Sequence, residues 1–290
     1  MNKVLNHSFF KDYTTAEWTI IKVCICWCWW PQIASSVINN TSVPYPTALA
    51  AYIDLSILLS GYTSVIFSLA GIVLCGFYLL EKWMRPVTFL MFTLSVMVFT
   101  LEDSNGILNR NSLYSMIFLV QFIAYMKNGP RLKSDRVQYA IQVIAAGYVL
   151  AAISKLSVTG LSWISSAPMA SLQVLKNFAY SYFDSGNLSQ MNAGVKQAGF
   201  ILQHKTTAQI LFGVSLFLEF FAWLALKDKL SAMVYGLLLT GMHLGILYFM
   251  NILIASIFYP MLILMVNPGY WVYLFVEKYI WPLFATRKMT

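Results

Sequence analysis

The sequence predicts an all-α integral membrane protein, a polytopic bundle of about eight transmembrane helices with a further helix on the outer membrane face. Three observations carry that expectation. Of 290 residues, 59% are hydrophobic and only 10% are charged, against about 25% charged in ordinary soluble domains. Mean hydropathy is +0.67. Long apolar runs recur from end to end, and ~20 helical residues cross a hydrocarbon core of roughly 30 Å. No stretch has the composition of a separate soluble domain, so residues 1–290 read as a single transmembrane domain.

The first helix is expected near 17–36, around "IIKVCICWCWW". Its long apolar core, the polar stretch ahead of it and the lack of a small-x-small site argue against a cleavable signal peptide. The second is expected near 53–80 with Asp54 as an outer-end cap, the third near 86–101, the fourth near 112–126, the fifth near 137–154 and the sixth near 206–226. The run 230–266 would measure about 55 Å as one helix, so it must protrude, tilt strongly or break. The segment "YWVYLFVEKYIWPLF" (270–284) carries Glu277 and Lys278 and suits the interface better than a full crossing. Between 155 and 205 runs the longest connection. Its aromatic part, 168–183, is expected to lie on the outer face, as a lid or as an ordinary interfacial connector, followed by the polar "SGNLSQMNAGVKQ".

Basic residues orient the chain. With the N- and C-termini cytoplasmic, thirteen of nineteen Lys and Arg fall on the inner side, and "KNGPRLKSDR" contributes most. Topology thus accounts for the +8 formal charge, and no nucleic-acid partner is implied. The four cysteines suggest no metal site: Cys24, Cys26 and Cys28 alternate, and helical residues two apart point away from each other.

Ionisable groups inside the membrane are the informative residues, because each is costly unless paired or turned to a cavity. Lys155, in "AAISKLSVTGLSW", sits at the outer end of the fifth helix. It is either a snorkelling anchor or a base whose amine is desolvated enough to take a proton from an acidic hydroxyl. Glu219, in "LFLEFFAWLAL", and His243, in "LTGMHLGILYFMN", come from two other helices. Counting residues along each helix puts His243 at the level of Lys155, with Glu219 lower and structural. An enzyme would present an outer-half pocket into which Lys155 points.

The segment "VQYAIQVIAAGYVLAAISKLSVTGLSWIS", with Lys155-Leu156 and Trp163, resembles the lysine-bearing stretch of the vitamin K-dependent γ-carboxylase family. "LFLEFFAWLAL" resembles that family's acidic helix, and "GMHLGILYFMNILIASIFYPMLILMVNP" its histidine helix, in the same order over roughly 137–268. The wider group is the horizontally transferred transmembrane (HTTM) family, mostly bacterial, which implies a bacterial inner-membrane location. The resemblance implies Lys155 and His243 as catalytic residues, Asn109, Asn111, Trp163, Glu219 and Asn251 as substrate-binding residues, and a reduced, vitamin K-like quinone as co-substrate. The family's Asn-His pair is replaced by "NRN" at 109–111, and its large extramembrane domain has no counterpart here. Two functions are therefore expected: an enzyme acting on a quinol or other lipid-soluble substrate, or a non-catalytic membrane subunit that assists maturation or export of a partner peptide.

Overall fold

The computed structural model describes residues 13–39, 45, 47–59, 61–105, 112–127, 132–252, 254–276 and 278. Among these the chain is entirely helical. Helices α1 (Thr15–Asn39), α2 (Gly61–Leu79), α3 (Met84–Ser104), α4 (Ser112–Lys127) and α5 (Leu132–Thr159) form the first half. After a hairpin of α6 (Ala170–Ser185) and α7 (Leu188–Gln203) come α8 (Lys205–Phe220), α9 (Lys229–Met250), α10 (Ala255–Met261) and α11 (Pro268–Phe275). Among the described residues five helices, α1, α2, α3, α5 and α9, are long and apolar enough to cross a membrane. A sixth span results if Ala255–Val266 and α11, bent by 41° at Asn267, are counted as one. That is the composition of an integral membrane protein.

Several boundaries differ from the sequence expectation, each for a local reason. Residues 53–59 do not extend the second helix: Asp54 Oδ1 accepts the Ser56 amide at 2.9 Å and starts a separate 3-10 turn, Leu55–Leu59. The sixth helix loosens after Phe220 into a 3-10 turn, Ala222–Leu226, so α8 alone is too short to span. The 230–266 run breaks. Asn251 adopts φ 52 and ends α9, and the chain then turns back along it. Gly236 permits that return, since a Cβ there would lie 2.8 Å from the Met265 side chain and 2.9 Å from the Val266 amide. The polar stretch after 183 is not a connector but helix α7. Gly186 at φ 66 closes α6, and the Asn187 side chain accepts the Ser189 amide to open α7. Gly194 lets the two hairpin helices touch, because a Cβ would meet Phe178.

Polar groups fix the register of the core helices. Trp29 Nε1 donates to Ser95 Oγ at 2.8 Å and Tyr78 Oη to Gln121 at 2.8 Å, tying α1 to α3 and α2 to α4. At the end of the bundle where α1, α3, α5 and α9 begin, buried cations meet carboxylates. Lys22 donates to Glu81 at 3.0 Å and to the Leu79 carbonyl at 2.8 Å. Arg136 stands 3.7 Å from the same carboxylate, 3.8 Å from the Trp18 ring centroid and 2.9 Å from Tyr125 Oη. Burial raises the Glu81 carboxyl, yet the Lys22 hydrogen bond and the Arg136 charge bring it below its ordinary value.

The second pair is fully enclosed. Lys229 Nζ donates to Glu17, which also accepts from Asn267 Nδ2 at 3.0 Å; Glu17 is 0% and Lys229 2% exposed at the side chain. The Tyr270 ring lies 4.3 Å from the ammonium. These contacts hold α1, α9 and α11 together. Removing one partner of such a pair strands a charge in low dielectric, which costs about 3–5 kcal/mol, whereas replacing both by apolar groups is often neutral. Lys229→Met should therefore lower the midpoint of detergent-monitored thermal unfolding sharply, and adding Glu17→Leu should recover most of the loss.

Asp228 caps α9 by accepting the Ser231 amide at 2.7 Å, and that bond holds its carboxyl below the usual aspartate range. A depressed folded value stabilises the protein above the unfolded pKa of about 3.9, and the gain disappears as pH falls through the folded value. Asp228→Ala should cost about 1 kcal/mol at pH 7 and nothing at a pH below the folded value, read from chemical unfolding at the two pH values.

Candidate functional site

Three of the sequence-selected residues meet between α5, α8 and α9. Lys155 Nζ lies 2.6 Å from Glu219 Oε1 and 2.5 Å from Oε2, a two-pronged ion pair. The lysine side chain is 24% exposed and the glutamate 7%. The Trp163 ring centroid is 5.2 Å from the same nitrogen, and Trp163 in turn stacks on Phe212 of α8. His243 Nε2 is 2.7 Å from the hydroxyl of Tyr148, which also points at Met261 Sδ at 3.2 Å. Both His243 and Tyr148 are buried, with Phe258 edge-on to the imidazole. Lys155 lies within electrostatic range of His243, and Glu219 within that of Tyr148.

The direction of the helices explains the convergence. Gln138 Nε2 meets the Leu226 carbonyl at 3.3 Å, Lys155 meets Glu219, and Trp163 meets Phe212. Rising numbers on α5 thus oppose falling numbers on α8, and the two helices are antiparallel. Side chains on a helix lean toward its N-terminus. Lys155 therefore leans down α5 while Glu219 leans up α8, and the gap in Cα level closes. The pairing thus brings the Glu219 carboxylate level with the lysine amine, where the count of residues had placed it lower. Tyr148 joins because it is seven residues before Lys155, on the same stripe of α5. His243 is fourteen residues into α9, about 21 Å from its start, at the height of Tyr148.

Other expectations fall elsewhere. Asn251 is spent on ending α9: its backbone is left-handed, its amide reaches Leu247 O at 2.9 Å, and its exposed side chain reaches Ser181 of the hairpin. It secures α6 over the end of α9, together with Asn177, which donates to the Met250 carbonyl at 2.8 Å. Asn109 and Asn111 lie outside the described residues. A groove of about 440 Å³ opens on α5 between Tyr139 and Ala146, nine residues before Tyr148 and Lys155 respectively, hence on the opposite side of the helix at 100° per residue.

Sequence reasoning passed over Tyr148, whose spacing of seven from Lys155 was the available signal. Among the described residues no group of three or more His, Cys, Asp or Glu could hold a metal ion. Comparison with family models, curated proteins and solved structures yields no match to this chain.

The chemistry open to the site follows from its four groups. An amine–carboxylate pair and, about two turns further down α5, a phenol hydrogen-bonded to an imidazole make up the set, with the amine nearest to solvent. Such a set can accept a proton from a bound hydroxyl, hold the resulting anion beside a cation, and pass the proton on. Truncation should expose the asymmetry of the pair. Lys155→Ala leaves a 7%-exposed carboxylate without its cation, whereas Glu219→Gln leaves an amine that can still reach water. The first should destabilise the protein by about 2 kcal/mol, below the buried-pair range because the lysine is partly solvated, and the second by clearly less, as measured by thermal unfolding.

Proposed function

We propose that this chain is an HTTM-type membrane protein that handles protons on a lipid-soluble hydroxyl substrate, a quinol being the class that the carboxylase resemblance indicates. The supporting observation is the half-accessible Lys155–Glu219 pair with Trp163 at its open side. The residues present suit such a substrate: the indole offers a flat face to an aromatic ring, and the pair offers both a proton acceptor and a positive charge. Family resemblance alone would make the lysine a neutral base. The pairing suggests a different division of labour. The quinol hydroxyl gives its proton to the Lys155–Glu219 pair, the added proton resides on the carboxyl, and Lys155 stays an ammonium that stabilises the quinolate. Tyr148 and His243 hold the inner side of the pair and stand as the next stations for the proton. A reduced quinone, when bound, supplies the electrons for any onward reaction with oxygen.

In this reading the eight helical passes (α1 to α5, α8 with its 3-10 turn, α9, and 255–275) all cross a bacterial inner membrane, both termini are cytoplasmic, and the α6–α7 hairpin covers the site from outside. The saturated, two-pronged pairing of Lys155 also favours a second reading, in which the amine is structural and the chain is a subunit that serves a partner peptide at the outer face. One experiment separates them. Purified protein in lipid nanodiscs is given menadiol and oxygen, and quinol loss is followed by absorbance. The enzyme reading expects consumption above the spontaneous rate, reduced about 100-fold or more, the scale of acid–base catalysis, in both Lys155→Ala and Glu219→Gln. Equal rates for all three proteins and for empty nanodiscs would leave the subunit reading standing.

A further inference from the structure

The groove on the far side of α5 is built as two matched stripes. On α4, Val120, Ile123 and Lys127 are spaced three and four apart, one face of a helix. On α5, Tyr139, Gln142 and Ala146 repeat the pattern. Because only four residues separate the two antiparallel helices in sequence, Lys127 and Tyr139 share one end of the groove, where Lys127 Nζ donates to the Tyr139 hydroxyl and sits 4.8 Å from its ring. From that polar mouth the groove runs seven residues along each helix, about 10 Å, between Val120, Ile123, Val143 and Ala146. Its volume of about 440 Å³ is within the range of small-molecule sites.

Three features identify the occupant. The mouth carries an exposed ammonium, and "KNGPRLKSDR" adds further cations in sequence next to it. The walls beyond are aliphatic. Gln142 is exposed one turn from the mouth, and an amide facing hydrocarbon is costly unless it finds a hydrogen-bond partner. A single molecule answers all three: phosphate for Lys127, an ester carbonyl for Gln142, an acyl chain for the aliphatic walls. We infer that the α4–α5 groove binds one anionic phospholipid by its headgroup at Lys127 and one acyl chain between Ile123 and Ala146. Basic pockets between helices on the cytoplasmic side are suited to such headgroups.

The full-length protein, purified in detergent and titrated with phosphatidylglycerol, is examined by native mass spectrometry. One lipid per chain should persist through delipidation that strips phosphatidylcholine. Lys127→Gln should weaken retention about fivefold, the size of one lysine's attraction to an anionic membrane surface. Ala146→Trp, which fills the groove without changing charge, should abolish it, while Lys196→Gln on the outer hairpin should leave it unchanged. Inorganic phosphate should not displace the lipid. Loss with Lys127→Gln but not with Ala146→Trp would reduce the effect to general surface attraction and overturn the site. Equal retention by all variants would overturn it as well. Quinol consumption plays no part in the readout, so this result and the reading of the Lys155 site stand or fall separately.

Discussion

In this apolar bundle three carboxylates, Glu17, Glu81 and Glu219, each hold a cation from elsewhere in the chain, and those pairings order the helices. Glu17 brings Lys229 and Asn267 to it, Glu81 brings Lys22 and Arg136, and Glu219 brings Lys155. In each case the partners come from different segments of the chain, Glu81 from the turn between α2 and α3, so pairing selects neighbours. Apolar packing cannot do so alone, since lipid-facing and buried sides are both apolar and one rotation of a helix is nearly as good as another. The ion pairs break that degeneracy. They are discriminating more than stabilising, because the Coulomb gain of a buried pair is largely offset by desolvation.

The three pairs are not equivalent. Those of Glu17 and Glu81 stand where four odd-numbered helices begin and have aromatic rings over their cations, Tyr270 over Lys229 and Trp18 over Arg136, while the Glu81 carboxylate itself is 42% exposed. The Glu17 pair is also sealed from solvent, the design of a clamp. The Lys155 pair is partly exposed at the lysine and has Trp163 beside it. What separates it from the other two is its surroundings, since the buried Tyr148–His243 contact lies on the same stripe of α5.

The helical class, the long apolar helices and the excess length of 230–266 were legible in the sequence, because hydrophobic length and bilayer thickness are one-dimensional constraints; that the excess is resolved by a break at Asn251 was not. Lys155, Glu219 and His243 were legible as residues for the same reason: charge in an apolar run stands out. Their arrangement was not. Assigning Glu219 a lower level followed from rise per residue, yet the antiparallel run of α5 and α8 adds the opposed lean of two long side chains, and only a known pairing of helices supplies that term. Tyr148 was hidden for a related cause, as one more aromatic in a chain where aromatic residues are common. Helix α7 was missed because "SGNLSQMNAGVKQ" is polar, and polarity reads as loop when a helix packs chiefly against one neighbour, here α6.

Helix α5 draws these threads together. Its stripe through Tyr148 and Lys155 faces α8 and α9, and the stripe through Tyr139, Gln142 and Ala146 faces outward beside α4. At 100° per residue, nine residues carry a side chain half a turn around, so the two sets cannot mix. A membrane helix normally has one protein face and one lipid face with few demands on the latter. Here the outward stripe carries a tyrosine and a glutamine where hydrocarbon would ask for leucine. Such residues on the lipid side are as costly as a polar group in the core, and the same logic that pairs Lys155 with Glu219 calls for a polar partner there too. In the core another helix supplies it. On the outer side the bilayer itself has to, through the only polar atoms it owns.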